Sequence, residues 1–240
     1  MCFSPEASFA VGGALLPAGA YCLRTAAKKN PRHLPLAFLP IALGLQQIAE
    51  GFVWRGLLAD DPVQTRTASL AFLFFALAFW PFWWPFVAAI LDTRPRFKRT
   101  WIALAIACSG WFWILFYPLL VGPDSLLSTE IVHHSIRYAY PDLAVYQYVP
   151  RPILRVLYLI AAVLPMALGS AEFGRLPGLM LLASVVVAAV SFDYAFVSVW
   201  CFFAAVLSSY LCVLFYRMPA ATEPPSVPSS ATVASAWTGP

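Results

Sequence analysis

Of the chain's 240 residues, 61% are hydrophobic and 11% charged, with a formal net charge of +4, whereas a soluble domain usually carries about 25% charge. That deficit excludes an ordinary soluble enzyme, and basic residues beside apolar runs make the positive balance a matter of lipid and topology rather than of nucleic acid. Five cysteines, mostly within apolar runs, suggest neither a disulfide framework nor a CxxC site.

At about 20 residues per span there is room for roughly seven helices and short loops. The start, Met1-Cys2-Phe3-Ser4-Pro5-Glu6, lacks the basic region of a signal peptide, so the first apolar run is expected to persist as helix one, residues 7–23. Helices two, three and four are expected over 34–57, 68–91 and 101–121. A long loop precedes helix five at 152–169. The run 176–216 is about twice the length of a span and must turn. Its central polar cluster, Ser191-Phe192-Asp193-Tyr194, marks the corner between helices six and seven. Residues 219–240, rich in Pro, Ser and Thr, read as a disordered tail with too little apolar surface to offset the entropy of ordering.

The fold class is therefore all-α, a polytopic bundle of seven transmembrane helices over 1–218. Arg24, Lys28, Lys29 and Arg32 lie between helices one and two, and Arg94, Arg96, Lys98 and Arg99 between three and four. The positive-inside rule places both loops in the cytoplasm, the N-terminus outside and the C-terminus inside. Under that assignment ten basic and three acidic residues lie inside, five basic and eight acidic outside.

Polar residues inside such a bundle are costly and need a partner or a purpose. Glu50 shares a helix face with Gln46 at i,i+4, with Gln47 beside it at i,i+3. In the long loop, residues 124–138 are expected to form a surface helix on which Glu130 meets His133 at i,i+3 and His134 at i,i+4. Cys2 and Asp193 fall on the same outer side. Together Cys2, Glu50, Glu130, His133, His134 and Asp193 are candidate ligands for a divalent transition metal, zinc by default and iron or copper as alternatives. Glu50 and Asp193 are the candidate catalytic carboxylates.

The opening Met1–Phe9, the segment Gln46-Gln47-Ile48-Ala49-Glu50-Gly51 and the block His133-His134-Ser135-Ile136-Arg137-Tyr138 together resemble a family of small bacterial integral membrane proteins of unknown function. The resemblance implies a bacterial inner-membrane setting and brings no activity, cofactor or substrate.

Three functions compete. A metal-dependent hydrolase would activate water at an open metal position against a lipid or other amphipathic substrate. A transporter, channel or small-molecule receptor would line an outer polar cavity with the same residues. A non-catalytic membrane assembly protein needs no site. The expected partners are the lipid bilayer and a lipid or small-molecule ligand, with no nucleic acid and an undetermined oligomeric state.

Overall fold

Proline placement sets most of the helix starts. The computed structural model describes residues 4–169, 182–184, 186–187 and 196–218. Within them α1 (Pro5–Lys29) is followed by α2 (Pro31–Leu58), α3 (Pro62–Leu91), α4 (Pro95–Val121) and α5 (Arg151–Leu168). Pro5, Pro31, Pro62 and Pro95 occupy first turns, where the missing N–H has no intrahelical acceptor to lose. Ser4 caps α1 by accepting from the Ala7 N–H at 3.2 Å, and Asp61 caps α3 by accepting from the Gln64 N–H at 2.9 Å. The helices α6 (Phe196–Ser208) and α7 (Tyr210–Arg217) cover most of the expected seventh span. The expected sixth helix lies almost wholly outside the described residues, and the corner at Asp193, Cys2 and residues 219–240 lie entirely outside them.

Helices α3 and α4 begin six residues earlier than hydropathy alone suggests. Their first turns, Pro62-Val63-Gln64-Thr65-Arg66 and Pro95-Arg96-Phe97-Lys98-Arg99, are polar, and a hydropathy reading registers only the apolar remainder. Among the described residues four helices, α2 to α5, are long and apolar enough to cross a membrane. α2 is the most enclosed of the four, while α4 and α5 turn side chains such as Ile102, Ile106, Trp113, Val156 and Ile160 outward. Those faces suit contact with lipid.

Glycine brings α1 against α2. A Cβ on Gly12 would stand 2.8 Å from the Gly44 carbonyl oxygen, and one on Gly19 would stand 2.8 Å from the Ile41 nitrogen. Close backbone approach of this kind is how small residues promote van der Waals packing between helices in lipid. One core cluster joins Leu15 and Cys22 of α1 to Leu39 and Leu43 of α2, Trp80 and Trp84 of α3 and Phe215 of α7. A second, nearer the long loop, joins Phe72, Leu73, Ala76, Leu77 and Ala78 of α3 with Leu115, Phe116 and Leu119 of α4 and Leu154 of α5.

At the end of the bundle away from the long loop, basic side chains meet helix C-termini, where unsatisfied carbonyls and the helix dipole favour cations. Lys29 Nζ donates to the carbonyls of Phe215, Tyr216 and Met218. Arg32 donates to Ile90, Leu91 and Asp92 carbonyls at 2.7–3.2 Å. Arg94 donates to the Leu168 carbonyl and holds the buried Asp92 carboxylate at 2.8 Å. Trp101 Nε1 also donates to Asp92, at 3.1 Å.

The long loop is not helical where a surface helix was expected. Residues Ser128–Val132 (β1) and Ser135–Ala139 (β2) form an antiparallel hairpin, with Glu130 opposite Arg137 and Ile131 opposite Ile136. His133 and His134 make its two-residue turn, both with positive φ, 46° and 60°, as tight hairpin connections of type I′ require. The β-branched residues Thr129, Ile131, Val132 and Ile136 favour the strand alternative.

Candidate functional site

The hairpin is fastened to the bundle at several points. Tyr138 stacks on Phe72 of α3, with ring centroids 4.8 Å apart and planes 10° from parallel. The Thr129 hydroxyl lies 3.1 Å from that of Ser69, and Ile136 is fully buried. Further along, Arg151 at the start of α5 donates to the Pro141 carbonyl at 2.8 Å and sits 4.7 Å over the Tyr146 ring.

Between the hairpin, its following loop and the helices lies a cavity of about 500 Å³. Its apolar wall comes from Ala76 and Leu77 of α3, Leu115 of α4 and Leu154 of α5. Tyr138, Tyr140, Tyr146 and Tyr158 line it together with Trp111 and Trp200, and Arg137, Arg151 and Arg155 supply its charge. No acidic side chain is among the described residues that line it.

Two departures from α-helical geometry form part of this wall. Phe74–Phe79 of α3 and Phe112–Phe116 of α4 are π-helical, and Phe74 meets Phe116 edge-on at 5.6 Å. Ala76, Leu77 and Leu115 therefore reach the cavity from widened turns, a local geometry that recurs at functional sites. Burial pushes the Tyr140 phenol above its ordinary value, with Tyr146 adding to the rise and Arg155 and Arg151 opposing it. Burial also raises Tyr146, against the same two guanidinium groups. Both phenols are thus uncharged hydrogen-bond donors at neutral pH.

The expected metal residues are distributed otherwise. His133 and His134 stand exposed at the hairpin tip. Glu130 does not face them along a helix but lies across the ladder, 2.6 Å from Arg137. Glu50, Gln46 and Gln47 are fully buried on α2. Gln47 Nε2 donates to Glu50 Oε2 at 3.4 Å, and Trp80 Nε1 of α3 donates to Gln46 Oε1 at 2.7 Å. At least the Gln46 end of this face serves helix–helix hydrogen bonding. Among the described residues no three His, Cys, Asp or Glu side chains gather where they could hold a metal ion. Cys2 and Asp193 lie outside those residues.

Sequence reasoning missed Arg151, Arg155 and the tyrosines. A signal was available: two arginines four apart share one helix face, and they open an apolar run at the end of the molecule assigned the acidic excess.

A mostly helical chain whose described residues include four helices long and apolar enough to cross a membrane, with outward apolar faces, has the character of a membrane protein. The chain belongs to the family of unknown function DUF6629, whose profile matches residues 1–226. No curated protein and no solved structure is detectably similar to it.

Proposed function

We propose that the protein is a multi-pass membrane protein of the receptor or transporter class that binds an amphipathic small molecule in the cavity beneath the hairpin. The observation that carries this reading is the cavity itself, about 500 Å³ with an aliphatic wall on one side and tyrosine, tryptophan and arginine on the other. Small-molecule sites characteristically combine apolar enclosure with a few convergent polar groups. A metal-dependent hydrolase has less support, because the two histidines occupy a turn and Glu130 is engaged by Arg137.

We further infer seven spans in a bacterial inner membrane, with the C-terminus cytoplasmic. The helix ends at Lys29, Leu91, Leu168 and Arg217 meet through Lys29, Arg32 and Arg94 at one basic end, which the positive-inside rule makes cytoplasmic. Trp200, early in α6, borders the cavity under the hairpin at the opposite end.

The test is occupancy. Ala76 is 2% exposed on the cavity wall, and Ala76→Phe would fill part of the space. Native mass spectrometry of the whole protein in a neutral detergent is expected to show a retained small-molecule adduct that Ala76→Phe lacks. An adduct pattern indifferent to Ala76→Phe in a folded variant refutes binding at this place.

A further inference from the structure

Resting on the cavity reading, we infer that the bound molecule carries a phosphate monoester, held by Arg151 and Arg155 with Arg137 and the Tyr140 and Tyr146 hydroxyls nearby. Three observations converge on an anion. First, Arg137, Arg151 and Arg155 all line one cavity with no acidic residue among its described lining. Glu130 pairs with Arg137 from the neighbouring strand, while Arg151 makes no ion pair among the described residues.

Second, the arrangement disfavours its own helix. Arg151 opens α5 and Arg155 follows one turn later, so Arg151 stands where the dipole is positive and a cation is misplaced. Like charges four residues apart also repel. α5 has no acidic residue in its first turn. An anion between the guanidinium groups reverses the sign of both interactions.

Third, the donor count suits phosphate better than carboxylate. One arginine fork satisfies both oxygens of a carboxylate, whereas a phosphate monoester presents three terminal oxygens and accepts forks from more than one arginine. The aliphatic wall of Leu77, Leu115 and Leu154 then takes up an apolar portion of the same molecule. A phospholipid with a terminal phosphate and a soluble phosphate ester share the headgroup chemistry, and the experiment separates them.

The whole protein in phosphatidylcholine nanodiscs is titrated with oleoyl lysophosphatidic acid, monooleoylglycerol, oleate and glycerol 3-phosphate, with bound species read by native mass spectrometry. The lysophosphatidic acid and monooleoylglycerol differ only in the phosphate. The expected result is that the phosphorylated lipid binds at least about tenfold more tightly than monooleoylglycerol, the scale of one charge-assisted interaction, and more tightly than oleate. Arg155→Gln should reduce that ratio by about tenfold, read on variant protein whose thermal unfolding midpoint matches that of the wild type. Arg151→Lys, which keeps the charge but loses the fork, should reduce it less. Glycerol 3-phosphate binding as tightly as the phosphorylated lipid supports the phosphate site and identifies the natural ligand as soluble. Equal binding of the phosphorylated and neutral lipids, both abolished by Ala76→Phe, overturns the phosphate inference and leaves the amphiphile cavity standing. An unchanged ratio in both arginine variants likewise overturns it, and lipid binding indifferent to Ala76→Phe overturns the cavity reading beneath it.

Discussion

His134 sits at φ 60° in the second position of the hairpin turn, and replacing it by glycine should stabilise the protein. The left-handed conformation costs an L-residue roughly 1–2 kcal/mol. Glycine avoids that cost but gives the unfolded chain extra freedom worth about 0.4–1 kcal/mol. The difference leaves His134→Gly more stable by up to about 1.6 kcal/mol, or up to about 6 °C in midpoint for a chain of this length. The β-branched His134→Val should move the other way by about 1–2 kcal/mol. Thermal unfolding in nanodiscs gives the global effect, and hydrogen exchange at Glu130, Ile131 and Ile136 amides shows whether the hairpin is its seat. A destabilised His134→Gly, or a neutral His134→Val, would refute the turn as the reason for this backbone. The same pair bears on metal chemistry: protein grown with zinc that holds an ion in the wild type and loses it in His134→Gly would make the histidine a ligand.

Alkaline titration gives a second outcome. Tyr140 is raised by burial, so below about pH 10, the ordinary tyrosine value, it is neutral folded or unfolded and contributes no pH dependence. As pH rises from there towards its folded-state value, the unfolded chain has lost the proton and the folded chain has not, so stability falls. Tyr140→Phe should flatten that decline, read by denaturation at stepped pH and by phenolate absorbance; an unaltered decline would contradict the burial. For topology, a reporter fused after Arg217 should read cytoplasmic and one inserted at His133-His134 periplasmic. Both reporters on one side would refute seven spans.

The helices were legible because a membrane span has a single strong signature, length multiplied by apolarity. Among the described residues the polar ends escaped it: the last turns of α1 up to Lys29, and the first turns at Pro62–Arg66 and Pro95–Arg99, where proline and a cap such as Asp61 carry the information instead of hydropathy. The basic residues raise a topology expectation in the sequence but give no sign of their role at helix ends, since nothing local ties Lys29 to the Phe215 carbonyl or Arg94 to that of Leu168.

The expected surface helix failed on periodicity. Over residues 130–137 two patterns fit the same letters. At a period of 3.6, Glu130 faces His133 and His134 and suggests ligands. At a period of two across a two-residue turn, Glu130 faces Arg137 and the histidines become the turn itself. Histidine pairs are unusual where Asn-Gly is preferred, so turn chemistry gave no warning, and the β-branched content of Thr129-Glu130-Ile131-Val132 was the stronger guide. Once the ladder is chosen, Arg137 is placed on the strand that borders the cavity. Arg151 and Arg155 then gain significance that neither has alone: of the five basic residues assigned to this end, three, Arg137, Arg151 and Arg155, line one cavity. A topology signal alone would have no reason to concentrate them there, and an anionic ligand would.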